Sequence, residues 1–399
     1  MYNDTQKLLE LKELKVKNIK IIKGTRYIKV EMPRKPHICP CCSQETNMIH
    51  DYLPERQIKD IPFGVSKTVL LYRARRYHCK CGKNFVENKE QILSNYQMTQ
   101  RYLFYILEKL GKKVSFKDVA EELKVSITTV MRIFDLVKYS VNDIGEYICI
   151  DEFKGNLGDY KYQAVMIDPQ NSKVLNIFKN RFKVDLSKEF STISKERRYK
   201  VKFFICDMWD TYIDLAKWYF PNAEIVVDRF HYTRYVTGAM DQIRREIQTT
   251  LGKELRVHMK HSRALLLGRY DKVIRIKKYD AEEELMEMLN LSEKLTTAYQ
   301  LEQAFYKVND SSTREEARTR LREWYELVEQ SGLEEFKKVA ATFQHYDRYI
   351  LNSFDTNYTN SYAEGVNNLI KTIKRIGFGF RNLERFRNKI MHVQNYQNA

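Results

Sequence analysis

The spacing of hydrophobic positions changes character several times along the chain. Through residue 95 short apolar runs such as "SKTVLLYRARRYHC" predict strands. From 96 to 140 the period becomes helical. Within "SFKDVAEELKVSITTVMRI", Val119, Ala120 and Leu123 form one apolar face, and Val130, Ile133 and Phe134 form the next. A break at Lys124-Val125 separates them, with Ser126 as the second N-cap. Residues 146 to 231 alternate strand-like and helix-like runs, the pattern of an α/β core. Residues 232 to 350 are long, charged, proline-free and helical in period, and a helical segment over 361–395 closes the chain. No fixed-period repeat or low-complexity tract interrupts this order.

Three of the apolar runs share an ending. "YICIDEFKGN" reads as a buried strand finishing on Asp151 and Glu152, "VKFFICDMW" finishes on Asp207, and "AEIVVDRFH" on Asp228. A carboxylate at the end of a core strand is costly unless it is paired, hydrogen-bonded or bound to metal. One such ending is a strand meeting solvent, but three are hard to explain that way. Strand ends that converge at one edge of a sheet are where α/β proteins build sites. Two carboxylates there, with a third from a helix, are able to hold a pair of magnesium ions for phosphodiester displacement.

The cysteines add a second chemistry. Five of the seven fall in two clusters, Cys39-Pro-Cys41-Cys42 and Cys79-Lys-Cys81, and Cys149 and Cys206 lie singly in apolar runs as small buried hydrophobes. Clustered cysteines without an oxidising context point to metal. The two turns predict a structural zinc ribbon holding Zn2+ through Cys39, Cys42, Cys79 and Cys81. The one-residue gap between Cys79 and Cys81 is tight, so His78 and Cys41 stand as alternatives for the fourth ligand.

Charge narrows the partner. Lys plus Arg number 69 against 52 Asp plus Glu, a formal net charge of +17, which calls for a polyanion. No apolar run approaches the roughly 20 residues that span a bilayer, and no signal peptide opens the chain, so a cytoplasmic DNA-binding protein is expected rather than a membrane protein. The two-helix spacing is that of a helix-turn-helix, whose second helix would present Ile127, Thr128, Thr129 and Arg132 to the major groove. Lys124 holds the turn position often given to glycine, at a cost of roughly 1 kcal/mol if left-handed. Arg73, Arg75 and Arg76 on a ribbon strand would add a basic DNA-facing edge.

With "IDEF", "CDMWDTY", "VVDRFHY" and "TNSYAEGVNNLIKTIKRIGFGFRN" in place, the chain resembles bacterial insertion-sequence transposases of the ISL-three type over nearly its whole length. The resemblance implies an α/β multidomain protein with a ribonuclease-H-like core interrupted by an all-α insertion and preceded by a zinc ribbon and a helix-turn-helix domain. The expected divisions are 1–95 for the ribbon, 96–140 for the helix-turn-helix, 146–231 and 351–399 for the two parts of the core, and 232–350 for the insertion. It implies a catalytic triad of Asp151, Asp207 and Glu364 binding Mg2+ or Mn2+, with Asp228, His231 and Asn368 as supporting residues. It further implies that the protein binds terminal inverted repeats and target double-stranded DNA, cleaves and joins strands, and works as a homodimer or higher oligomer at the bacterial nucleoid. A non-catalytic DNA-binding regulator derived from such a protein is the alternative; it would not need three carboxylates.

Set on a helix, residues 362–376 place Val366, Leu369, Ile370 and Ile373 on an apolar stripe. Glu364, Asn368, Lys371 and Arg375 take the opposite face, with Asn367 beside it. A lone acid on a basic, amide-rich face suits a metal ligand beside a phosphate backbone that Lys371 and Arg375 would hold.

Overall fold

The computed structural model describes residues 14–87, 92–93, 95–139, 144–156, 158–276, 281–356 and 361–397. The chain divides into two compact units. One comprises the residues up to Tyr139 together with Thr372–Phe380 and Glu384 onward, and the other comprises Ser140–Lys371 with Arg381–Leu383.

The first unit is built on strands β1 (Lys15–Ile22), β2 (Thr25–Glu31), β3 (His37–Ile38), β4 (Glu45–Thr46), β5 (Ile49–Tyr52), β6 (Arg56–Phe63), β7 (Ser66–Tyr72), β8 (Arg75–His78), β9 (Asn84–Val86), β10 (Ile92–Leu93) and β11 (Met98–Thr99). Six of them form a sheet in the order β1-β2-β7-β6-β11-β10. Alternation along its strands buries Val16, Ile28, Val30, Ile58, Leu70 and Tyr72 on one face. The small sheets β3-β4 and β5-β8-β9 carry the cysteine turns.

Helices α1 (Gln100–Leu110), α2 (Phe116–Glu122) and α3 (Ile127–Phe134) follow directly. Met98 pairs with Lys59 in the sheet, and the next residue, Thr99, caps α1 and donates to Asp60 at 2.6 Å. Sheet and helices thus meet through a shared strand at the expected division near residue 95, and both lie in one compact unit. The closing helix (Leu383–Gln397) also belongs here for most of its length. Its buried Lys389 donates to the carbonyls of Leu110, at the end of α1, and of Lys112, and His392 Nε2 lies 2.7 Å from the Leu107 carbonyl. Residues from Glu384 on pack with the first unit.

The second unit contains β12 (Tyr147–Phe153), β13 (Gln163–Asp168), β14 (Lys173–Ile177), β15 (Phe203–Cys206) and β16 (Glu224–Val227) in the order β14-β13-β12-β15-β16. The hairpin strands β12, β13 and β14 are antiparallel, and β15 and β16 run parallel to β12. Helices α4 (Lys183–Ser191), α5 (Lys195–Arg198) and α6 (Asp210–Tyr219) make the crossovers that parallel pairing requires. Cys149 and Cys206 are buried, as read from sequence.

After β16 the chain enters a helical insertion: α7 (Arg229–Thr250), α8 (Lys253–His261), α9 (Arg263–Leu266), α10 (Tyr270–Ile276), α11 (Ala281–Leu289), α12 (Glu293–Asn309), α13 (Arg314–Ser331) and α14 (Glu334–Leu351). Tyr232, Phe305, Trp324 and Phe343 pack edge-on or tilted at its centre. The insertion returns where it left. Asn352 donates to the Ile225 carbonyl on β16, and Arg229 at the start of α7 donates to the Ser353 carbonyl. Helix α15 (Ser361–Ile376) then carries Glu364.

Candidate active site and metal centre

Parallel pairing sets the acidic site. Cys149 lies opposite Ile205, and Cys206 opposite Val227. Carried forward in the same register, Asp151, Asp207 and Asp228 fall in one row across three neighbouring strands. Strands β15 and β16 stop just before their aspartates, as the apolar runs suggested. The first strand does not: β12 continues to Phe153 because β13 remains paired with it, Asp151 facing Val165. Asp151 therefore sits within a strand, at the level where its parallel neighbour has ended. Glu152 points to the other face, accepting from Arg181 at 2.6 Å and from the Tyr212 hydroxyl at 3.1 Å.

Asp151, Asp207 and His231 each offer a ligand atom within 4.8 Å of the others. Asp151 is only 6% exposed; it accepts from the Glu152 amide and from Asn367 Nδ2, each at 2.7 Å. Burial, reinforced by the Asp207 charge, raises its pKa to about 6. His231, in the first turn of α7, brings Nδ1 to 3.0 Å from Asp207 Oδ1 and Nε2 to 3.9 Å from Asp228 Oδ2. Burial opposes the imidazolium, but the close contact with Asp207 and the charges of Asp207, Asp228 and Asp151 outweigh it and raise the pKa. Two carboxylates and an imidazole at this spacing suit a divalent cation, whose charge would relieve the repulsion that burial magnifies.

Glu364 is exposed and stands outside that three-residue group. Three carboxylates of like charge have no electrostatic reason to meet, and Asp207 pairs with His231 instead. The buried stripe of α15 is Ala363, Val366, Ile370 and Ile373, with Leu369 half-buried, while Lys371 and Arg375 are exposed. Asn367, the neighbour of Asn368, donates to Asp151. It lies on the shoulder between stripe and polar face, where a helix pressed against a strand edge makes polar contacts. That position was its only mark in the sequence. A groove of about 550 Å³ opens beside His231 along α7 and α14, lined by Arg234, Tyr235, Gln242 and Lys338 among others.

The cysteine turns converge separately. Cys39, Cys42, Cys79 and Cys81 place their sulfurs within 4.8 Å of one another, with Cys39–Cys81 at 3.7 Å and Cys42–Cys79 at 3.5 Å. Four thiolates at tetrahedral zinc, each near 2.3 Å from the metal, are about 3.8 Å apart, so the set fits zinc. The short second gap is absorbed by a shorter turn. Ser43 N donates to the Cys39 carbonyl four residues back, and Gly82 N to the Cys79 carbonyl three back. Ser43 and Gly82 both take positive φ, 59° and 85°. Although burial opposes ionisation, the amides of Cys41 and Cys42 and the neighbouring thiols hold Cys39 down at about 6, favouring the thiolate that metal requires. Neither alternative joins the group: Cys41 is exposed, and His78 Nδ1 is 2.7 Å from Asn84 Oδ1.

In the helix pair, Ser115 and Asp118 form a capping box on α2, and Ser126 caps α3 by accepting from Thr129 N. Lys124, at the turn position often given to glycine, is left-handed at φ 55°. Ile127, Thr128 and Arg132 are exposed, and Thr129 is half-buried with its hydroxyl 2.8 Å from that of Ser126. The Arg132 guanidinium lies over the Tyr96 ring at 5.2 Å, which fixes its direction. Arg132→Ala should weaken DNA binding by roughly 1–3 kcal/mol if the residue reads a base. Binding isotherms on cognate and unrelated duplexes check this; equal losses would make it a phosphate contact, and no loss would remove α3 from the groove.

The basic ribbon edge is corrected. Arg75 is 3% exposed, donates to the Met32 carbonyl and pairs with Glu87, so it is an internal tie. Arg76 is held by Asp51 through both of its carboxylate oxygens. Arg73 alone of the three is exposed, over the Tyr52 ring.

Three family models match the chain. One described as a transposase covers residues 148–390, one described as the zinc finger of the transposases of IS204, IS1001, IS1096 and IS1165 covers 35–81, and one described as the helix-turn-helix domain of transposase family ISL3 covers 95–137. The chain is also 28% identical over 365 residues to the transposase for insertion sequence element IS1001 of Bordetella parapertussis, spanning 89% of this chain and 88% of that protein.

Proposed function

Because this chain belongs to the ISL3 family of DDE transposases, which bind DNA, we propose that Asp151, Asp207 and Glu364 form its divalent-metal site for cutting element ends and joining them to target DNA. The observation that carries this reading is the level row of Asp151 and Asp207, with Asn367 holding the Glu364 helix against Asp151. Glu364 precedes Asn367 by three residues, nearly one helical turn, so it belongs to the part of α15 beside the site. The order of antiparallel and parallel strands supports a ribonuclease-H-like core. Mg2+ or Mn2+ bound there would activate the attacking water or 3′-hydroxyl and stabilise the leaving oxygen.

The chain's own groups have distinct parts in this reading. Asp151, fixed by two hydrogen bonds on a buried strand, gives the site its rigid side. His231 orients Asp207, and Asp228 backs His231 from the next strand. Lys371 and Arg375, further along the same helix as Glu364, hold the phosphate backbone on either side of the reacting bond. The helix-turn-helix selects the terminal inverted repeats, zinc staples the ribbon, and a homodimer or higher oligomer pairs the two ends. Among the described residues no helix is long and apolar enough to cross a membrane.

Incubating the purified protein with labelled DNA carrying the element ends tests the reading. Strand cleavage at the ends should require Mg2+ or Mn2+ and stop on chelation. Tight binding of those ends without cleavage under either metal would make the protein a regulator instead.

A further inference from the structure

The turn that ends α15 breaks two rules of folding at one residue. Its hydrogen bonds are those of a Schellman cap: Gly379 N donates to the Lys374 carbonyl at 3.0 Å and Phe378 N to the Arg375 carbonyl at 3.1 Å. The left-handed position of that motif is normally glycine, and here it is Phe378, at φ 49°. The ring gains nothing from folding in return, since Phe378 is 98% exposed. A bulky apolar residue that is both strained and fully hydrated marks a functional position.

Its neighbours hold it there. Phe380, two residues on, packs against Phe116 and Phe386 with ring centroids 6.3 and 4.8 Å away. Gly377 is needed because a Cβ there would lie 2.6 Å from the Phe380 ring. The turn is therefore anchored by one phenylalanine while it displays the other. Between Glu364 and Glu384 the sequence has no acid, and Lys371, Lys374, Arg375 and Arg381 flank the displayed ring. An apolar ring within a purely basic stretch matches a partner with a polyanionic backbone and flat apolar faces.

We propose that Phe378 is a nucleobase-stacking wedge that engages DNA where its strands are parted. In a closed duplex the base faces are covered, so an apolar side chain reaches them only at an opened step. The inference rests on DNA binding by this protein, and a fully paired probe reports that binding independently.

The experiment measures binding of the full chain to a mixed-sequence duplex and to the same duplex carrying a short unpaired bubble. Wild type should prefer the bubble by about tenfold, and Phe378→Ala should lose that preference while binding the paired duplex within about twofold of wild type. Phe378→Trp should keep the preference. Phe378→Gly should also lose it, yet melt at the wild-type temperature or above, because glycine relieves the left-handed strain. No bubble preference in wild type, or a preference that survives Phe378→Ala, overturns the wedge. So does a Phe378→Ala protein whose self-association in sedimentation falls while its bubble preference is intact, since the ring would then seat in a second copy.

Discussion

Glu364→Gln should abolish strand cleavage and joining while leaving binding to element-end DNA unchanged. Gln keeps the size and hydrogen-bonding capacity of the side chain and removes only its charge. Glu364 is exposed on the first turns of α15, whose buried stripe is Ala363, Val366, Ile370 and Ile373, so the substitution touches no packing. In the proposed site it would remove the third anionic ligand for cations that Asp151 and Asp207 would hold from the sheet. A metal site contributes several kcal/mol of transition-state stabilisation, so the rate should fall by roughly a thousandfold or more. Single-turnover cleavage of labelled ends checks the rate, and a gel-shift titration of the same DNA checks binding. Cleavage within tenfold of wild type would exclude Glu364 and return the search to the acids of the insertion. His231 makes the comparison informative, because it already completes a three-donor group with the two aspartates. If His231→Ala stops cleavage and Glu364→Gln does not, the site is Asp-Asp-His rather than a carboxylate triad.

What the sequence disclosed follows from how local each cause is. The strands that end on Asp207 and Asp228, the cap at Ser126 and the break at Lys124-Val125 are set by neighbouring residues, and all were legible. The continuation of β12 past Asp151 was not, because it depends on β13, a partner whose pairing length no local pattern encodes. Arg75 misled for the same reason. An arginine on an alternating strand looks solvated until Glu87 and the Met32 carbonyl arrive from elsewhere to bury it. The contact of Asn367 with Asp151 depends on how α15 is placed against the sheet, which no local pattern on the helix encodes. The link from sheet to helices was not legible either, because β11, two residues long, is too short to leave a pattern.

Removal of zinc should unfold the two cysteine turns and their small sheets while the six-stranded sheet persists. The turns have almost no apolar interior of their own. Around them β3 and β4 are two residues long, and three of the five cysteines in the clusters are exposed. Structural zinc in comparably small domains supplies on the order of 10 kcal/mol of folding free energy, far more than these few strands gain otherwise. The large sheet stands on Val16, Ile28, Val30, Ile58, Leu70 and Tyr72, none of which touches the thiol cluster through a hydrogen bond. Tyr72 and Arg75 both bond Glu87, so a buried polar tie joins β8 to that sheet. Loss of protection should spread along β8 only as far as this tie. Hydrogen exchange after chelation should show residues 37–46 and 76–86 losing protection completely and residues 25–31 and 66–72 retaining it. Elemental analysis should find one zinc per chain in the untreated protein. Cys81→Ser should lower that stoichiometry and mimic the chelated pattern, whereas Cys41→Ser should do neither, since Cys41 stands outside the thiol cluster. Folded protein without zinc, or chelation that melts both sheets together, would show that the turns are held by the hydrophobic core and not by a metal.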